Sequence, residues 1–201
     1  MDDATPKTRF EISRTGDSLE DYAQRFIGGY ESGEDLYGEA RFVDAMAKRG
    51  SRVLDAGCGT GRMAGQLSKL GHDAIGVDRS ARLLEVARKY FADTTYVEAD
   101  LLTVSGQELG GGKFDIIAAA GNVVPCLAPD TERDVLANLV SLLVPDGRLV
   151  LGFKTDREYS LAQLDADSHA LSLTEVARFS DWQLGKWYDE SGWISVILQA
   201  G

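Results

Sequence analysis

From Arg52 onward the apolar positions fall into short blocks that alternate between two periods. Arg52-Val53-Leu54-Asp55 is continuous and too short for a helix, so it reads as a buried strand. Arg62 to Leu70 follows with Met63, Leu67 and Leu70 on one helical face. Ala74 to Asp78 is the next strand, and Ser80 is placed to cap a helix carrying Leu83, Leu84, Ala87 and Phe91. Thr95 to Glu98 and Phe114 to Ala119 read as the third and fourth strands. Asp130 is the expected cap of a long helix through Leu143, closed by Pro145-Asp146-Gly147, and Arg148 to Phe153 is the fifth strand. Strands alternating with helices predict a parallel sheet covered on both faces, and right-handed crossovers make it doubly wound. The last segment differs. Ser172 to Trp182, with Leu173, Val176 and Phe179, and Trp193 to Leu198, with Ile194, Val196 and Leu198, flank the turn-rich stretch from Gln183 to Gly192. They predict a closing hairpin, seven strands in all, with the last one antiparallel.

The first fifty residues follow another pattern. Residues 1–17 are polar and contain Pro6 and Gly16, which predicts a loose tail. A helix is expected from Ser18 as N-cap, with Asp21 three residues on and Tyr22, Phe26 and Tyr30 along one face. Gly28, Gly29 and Gly33 interrupt or end it. A second helix is expected over Gly38 to Arg49, with Phe42, Val43 and Met46 turned inward. The chain thus divides into a tail (1–17), N-terminal helices (18–50) and an α/β domain (51–201).

Composition narrows the function. The chain has 201 residues, 44% of them hydrophobic, enough for one core without covalent staples. Its net charge of −11 repels phosphate backbones, so nucleic acid is not an expected partner. Cys58 and Cys126 form neither a disulfide framework nor a metal-ligand spacing, which fits a reducing, cytoplasmic setting and no metal. The first residues lack the apolar centre of a signal peptide, and no apolar run is long enough to span a bilayer, so no membrane role is expected.

The chemistry concentrates where the first strand runs into Asp55-Ala56-Gly57-Cys58-Gly59-Thr60-Gly61-Arg62 and a helix opens. Glycines there let the backbone turn tightly and let a ligand approach it, at the strand end where open α/β sheets bind ligands. Asp78 ends the next strand, where an acidic side chain grips a ribose diol in nucleotide-binding sheets. A dinucleotide site wants Gly-x-Gly-x-x-Gly and a pyrophosphate on the helix N-terminus. This loop is one residue short of that spacing, and Asp55 beside it would repel a pyrophosphate and favour the ammonium of an amino acid. Asp55 could equally just cap the loop, and Asp100 could be an ordinary turn residue.

These segments resemble the motifs of the class I S-adenosylmethionine-dependent methyltransferases, over roughly residues 39–155. Leu54 to Gly61 is similar to that superfamily's first motif, Gly76-Val77-Asp78 to its second and Glu98-Ala99-Asp100-Leu101 to its third. Phe114 to Ile117 resembles its fourth strand, and Leu142 to Leu149 its loop into the fifth. The resemblance implies a Rossmann-like sheet with S-adenosylmethionine as cofactor. Asp55, Ala56, Gly57, Gly59, Gly61 and Arg62 would hold it from the loop. Asp78 and Arg79 would serve the ribose, and Asp100 and Leu101 the adenine, with Ala119 and Asn122 beyond the fourth strand. Within the superfamily the chain is most similar to small bacterial methyltransferase-domain proteins.

Methyl transfer from a sulfonium demands alignment and exclusion of water more than a catalytic triad, and the sequence assigns no general base. The acceptor would lie above the strand ends. Ala120 to Pro125 reaches that edge, so Asn122 and Pro125 are candidates. Lys154 to Arg157 reaches it too, as do the hairpin turn with Trp182, Trp187 and Tyr188 and the N-terminal helix, whose Tyr22, Phe26 and Tyr30 could close as a lid. Each aromatic set serves equally as core packing. After Asn122 come Val-Val-Pro rather than the Pro-Pro-aromatic of amino-methylating nucleic-acid enzymes, which favours a small-molecule acceptor. Two other readings remain open: a non-catalytic sensor or interaction protein that keeps the cofactor pocket, and a nicotinamide-dependent oxidoreductase. His72 and His169 are expected at the far edge of the sheet, outside the site.

Overall fold

The computed structural model describes residues 5–201. Its strands are β1 (Arg52–Ala56), β2 (Asp73–Asp78), β3 (Thr95–Glu98), β4 (Phe114–Ala119), β5 (Leu143–Lys154), β6 (Leu173–Phe179) and β7 (Trp193–Ala200). They form one sheet in the order β3-β2-β1-β4-β5-β7-β6. β1 to β5 pair in parallel, and β7 runs antiparallel between β5 and β6. The helices are α1 (Arg9–Ser13), α2 (Asp17–Ser32), α3 (Gly38–Met46), α4 (Arg62–Lys69), α5 (Ala81–Tyr90), α6 (Glu132–Ser141) and α7 (Leu161–Ala170), with a 3-10 turn at Val124–Cys126. No helix among the described residues is long and apolar enough to cross a membrane.

Alternation along the strands splits the core into two layers. Leu54, Ile117 and Leu149 point to one face and meet Leu136 and Leu139 of α6 and Leu164 of α7. Val53, Ile116 and Val150 point to the other and meet Val43 of α3, Leu67 of α4 and Leu84 of α5. This is the doubly wound, Rossmann-like α/β sheet expected of the chain.

The structure corrects several local expectations. The supposed tail carries α1, which Thr8 and Glu11 open with a reciprocal capping box; residues 1–4 lie outside the described residues. Ser18 is not the cap of α2. The helix begins at Asp17 behind Gly16, and Ser18 Oγ bonds instead to the backbone of Thr15. α2 runs through Gly28 and Gly29 and stops only at Gly33, which takes the left-handed conformation. Gly29 has no Cβ because Leu36 folds against it. Asp130 is itself left-handed, and Thr131 occupies the cap of the shorter α6. α7 had no counterpart in the sequence pattern, since it buries only Leu164 and Asp167.

Candidate active site

β1 ends at Ala56, and the five residues after it fold back over the sheet. Gly57, Gly59 and Gly61 all have φ between 52° and 77°, a region that strains residues with a Cβ. The Gly57 and Cys58 N–H groups both donate to Val77 O, at 2.8 and 2.9 Å, and so fasten the loop to β2. Asp78 completes the clamp. Its Oδ2 accepts from Gly59 N at 2.8 Å and its Oδ1 from Ser80 N at 2.8 Å, the residue that caps α5. Asp55 Oδ2 accepts from Ala64 N in the first turn of α4 at 3.0 Å. Loop, helix and second strand thus converge on two carboxylates.

Both acids resist ionisation. Burial pushes Asp55 up to about 7, and the nearby Glu39 and Asp78 charges add to this, while the Ala64 N–H and Arg62 oppose it. Burial also raises Asp78, against the N–H groups of Ser80, Gly59 and Arg79. A crevice with two reluctant carboxylates favours a cationic ligand, whose charge makes their ionisation easier. Asp100, in the turn after β3, accepts from Leu102 N through Oδ1 at 2.9 Å. Its Oδ2 is buried without a hydrogen bond among the described residues, although the Arg79 guanidinium stands 3.3 Å away. That distance satisfies an ion pair but not the angles of a hydrogen bond, so the oxygen keeps an unfilled acceptor position.

Other sequence-derived candidates have structural tasks. Arg62 forms a two-pronged ion pair with Glu39 of α3 and donates to Leu36 O at 2.9 Å, so its head group binds the N-terminal helices to the glycine loop. Arg79 donates to Pro6 O at 3.0 Å and stands 3.4 Å from Glu11. Leu101 and Ala119 are buried in the core layer beneath the site. Asn122, left-handed at φ 70°, donates its N–H to Gly152 O and accepts from Lys154 N through Oδ1, tying the exit of β4 to the end of β5. Pro125 is buried inside the 3-10 turn.

The N-terminal helices lie over this edge. α2 runs alongside α5, with Arg82 on Glu20 at one end, Tyr90 on Glu31 at the other and Ala23 against Leu83 and Val86 between them. Tyr30 OH meets Thr60 Oγ1 at 2.8 Å, directly on the glycine loop. Tyr22 is half-buried. It packs edge-on to Phe10 and Phe26, with the Arg14 and Arg25 guanidiniums over its ring at 5.7 and 5.3 Å. α1 is anchored by Arg9, which donates to Leu127 O at 3.0 Å and to Glu132 Oε1 at 2.7 Å. The two tryptophans of the hairpin part company. Trp182 covers Gly152 and packs on Phe42, whereas Trp187 packs against the opposite layer under Arg178. Tyr30 therefore comes to the loop, Tyr22 packs between α1, α2 and α5, and Trp187 lies on the opposite layer.

Val123 was missed by sequence reasoning. A Cβ on Gly57 would stand 2.8 Å from both Val123 methyl groups, so Val123 forms one wall of the loop. Cys58 is buried with its thiol pushed well up, which suits a small filler rather than a nucleophile. His72 is buried at the amino end of β2, bonded to Asp44 at 2.9 Å, and His169 is exposed in the last turn of α7. Recesses of about 340 and 450 Å³, one beside His72 and one beside Lys113, lie at the amino ends of the strands, opposite the edge where such sheets bind ligands.

A family model described as a methyltransferase domain matches residues 53–147. A TehB-like S-adenosylmethionine-dependent methyltransferase from Corynebacterium glutamicum superposes with a TM-score of 0.83 at 37% identity, over 90% of this chain and 97% of that one. Magnesium protoporphyrin IX methyltransferase from Synechocystis, solved with bound S-adenosylmethionine, superposes with a TM-score of 0.64 over 87% of this chain and 81% of that one; at 18% identity this is a likeness of fold. Malonyl-[acyl-carrier protein] O-methyltransferase from Enterobacter lignolyticus is 35% identical over 131 residues, 63% of this chain and 49% of that protein, so the chain spans about half the length of this relative. The fold is thus that of a methyltransferase domain, and the glycine loop lies within the matched residues. The chain belongs to the S-adenosylmethionine-dependent methyltransferases.

The residues present fit that cofactor. The loop is bare backbone, the carboxylates favour a cation, and Asp100 Oδ2 keeps a buried acceptor position for a donor such as an amino group.

Proposed function

We propose that this protein transfers the methyl group of S-adenosylmethionine to a small-molecule acceptor, seated between the exits of β4 and β5 and the helices α1 and α2. The observation that carries the reading is the clamp of Asp78 on Gly59 N, which presents a buried carboxylate beside a glycine loop lacking dinucleotide spacing. The bound cofactor would supply an electrophilic methyl group on sulfur. Asp78 would receive the ribose hydroxyls, Asp100 Oδ2 the adenine amino group, and Asp55 would balance the ammonium. α1 and α2 would act as the cover that excludes water. Burial raises Tyr22 above its ordinary value, so its hydroxyl stays neutral and can orient an acceptor without deprotonating it. The net charge of −11 argues against a nucleic-acid acceptor, and the free Cys58 and Cys126 fit a reducing cytoplasm.

Calorimetric titration with S-adenosylmethionine tests the cofactor half, and release of S-adenosylhomocysteine across an acceptor panel tests the transfer. Asp78→Ala is expected to weaken cofactor binding about 100-fold, the worth of two hydrogen bonds to a charged group. A wild-type protein that binds no cofactor would end the reading. One that binds it and turns over no acceptor would support the sensor instead.

A further inference from the structure

Arg62 has more hydrogen-bond donors than its structural partners use. A guanidinium carries five N–H groups in one plane. Nη1 of Arg62 donates to Leu36 O and to Glu39 Oε2, and Nη2 donates to Glu39 Oε1. Glu39 thus takes the end of the fork and Leu36 O its inner flank. Nε–H and the second Nη2–H are left without a partner among the described residues. These two groups lie side by side along the remaining edge of the plane, at the spacing of two carboxylate oxygens. A Cβ on Gly121, in the turn after β4, would stand 3.6 Å from Nη2, and the Phe26 ring of α2 lies 5.7 Å from Cζ. β1 and β4 are neighbours, with Asp55 beside Ala118 in register. Nη2 therefore sits between the glycine loop and the exit of β4. The side chain keeps 21% of its surface open there, so the head group is not sealed into the core.

We propose that the free edge of Arg62 is a carboxylate subsite, and that the carboxylate it takes is the one at the amino-acid end of the cofactor. The proposal rests on the reading that the glycine loop binds S-adenosylmethionine. An amino-acid zwitterion asks for one anionic and one cationic partner. The residues flanking the loop supply both, Asp55 before it and Arg62 after it. Glu39 is buried and grips the guanidinium by both prongs, so the head group is in place before a ligand arrives and has little freedom left to lose. Glu39 is therefore a positioning residue, and Arg62 the residue that touches the ligand. Because Glu39 already balances the charge of Arg62, the contact depends on the planar pair of donors more than on net charge, and a lysine would not replace it. The carboxylate of an acidic acceptor is a second source of the same chemistry. The place of the edge beside the glycine loop assigns it to the cofactor.

Calorimetry with S-adenosylhomocysteine and its carboxamide, which differ only in that one group, tests the assignment, with adenosine as a probe that lacks the amino-acid end. Wild type is expected to prefer the acid to the amide about thirtyfold, the worth of one charge-assisted contact. Arg62→Lys keeps a cation for Glu39 and removes the planar edge, so the preference is expected to fall below about threefold. Glu39→Gln keeps one acceptor for the guanidinium and leaves the edge free, so the preference is expected to stay above about tenfold. Adenosine is expected to bind all three proteins alike. An amide that binds as tightly as the acid in wild type overturns the proposal, as does a preference that survives Arg62→Lys. Equal loss of preference in the two variants overturns it by showing that the ion pair alone matters. Loss of adenosine affinity in Arg62→Lys overturns it by showing that Arg62 shapes the whole pocket. In protein already loaded with S-adenosylhomocysteine, phenylacetate that outbinds phenylacetamide in wild type but not in Arg62→Lys would place the edge on the acceptor and overturn the assignment to the cofactor. Failure of the wild type to bind S-adenosylhomocysteine and adenosine would fall earlier, on the methyltransferase reading itself.

Discussion

At the scale of single residues, the site depends on acids held where water cannot reach them. Asp55 has its folded value pushed up to about 7 from an ordinary 3.8. Well below pH 3.8, both folded and unfolded chains carry it protonated, and it costs nothing. As pH rises from about 4 toward 7, the unfolded chain ionises first, so Asp55 destabilises the empty protein progressively and then by a constant amount above 7. Asp55→Asn keeps an acceptor for Ala64 N and removes the titration. The empty variant should melt above wild type at pH 8, by up to a few kcal/mol of stability, and converge with it as pH falls to about 2. A ligand ammonium would favour the ionised acid, so wild-type cofactor affinity should climb between pH 4 and 7. The variant should bind more weakly and without that climb. Arg62, Glu39 and Asp78 face the same group, and the comparison with the variant separates Asp55 from them.

The loop glycines allow a graded test at the same scale. A Cβ on Gly59 would meet nothing closer than Leu83 at 3.9 Å, so Gly59→Ala should cost only backbone strain, about 1 kcal/mol. A Cβ on Gly61 would stand 2.5 Å from Tyr96 Oη and 2.7 Å from Ala87 Cβ, so Gly61→Ala should cost about 3 kcal/mol by urea denaturation. Equal losses would mean that packing does not distinguish the two positions. The placement of the loop and Asp78 was legible in the sequence because both lie within a few residues of a strand end. The contacts of Arg62 and Asn122 were not, because their partners, Glu39 and Lys154, sit far along the chain and only the fold brings them together.

At the scale of elements, α1 shows what a short polar helix can do. Only five residues long, it buries none of them fully, and its stability comes from Thr8, Glu11 and the anchor of Arg9 on Glu132. Glu132 is itself buried, so Arg9→Ala leaves an unpaired carboxylate in the core and should cost about 3 kcal/mol. Arg9→Ala/Glu132→Gln should recover most of that loss, since the charge that needed a partner is gone. Urea denaturation of the two variants checks the difference, and equal losses would place the damage in α1 packing. The Thr8-x-x-Glu11 box was a readable signal that a polar tail disguised. α7 offered almost none, since its buried positions are one leucine and Asp167, whose partners are Tyr159 and Arg133. The sheet edge was more legible than the pairing. Trp193-Ile194-Ser195-Val196-Ile197-Leu198 is nearly continuous apolar sequence, as a central strand requires, while β6 mixes polar and apolar residues and stands largely open at the edge.

At the scale of the whole molecule, α1 joins the two halves of the sheet across the crevice. Arg9 fixes it to the turn after β4 and to α6, while Glu11 and Pro6 O reach Arg79 at the end of β2. Asp100, the proposed adenine acceptor, shares that same Arg79. A cofactor lying from β4 to β3 would therefore pass under α1, and both entry and exit would require one of these anchors to open. Cofactor exchange is then governed by the helix rather than by diffusion, and the rates carry more information than the affinity. In Arg9→Ala/Glu132→Gln, association and dissociation of S-adenosylmethionine should both accelerate, by about tenfold if one ion pair of about 1.4 kcal/mol limits opening, while the dissociation constant changes much less. Stopped-flow mixing followed by displacement with S-adenosylhomocysteine measures both rates. A variant whose dissociation alone accelerates would show α1 to be a contact surface of the bound state. Unchanged rates would show that the cofactor enters without moving it.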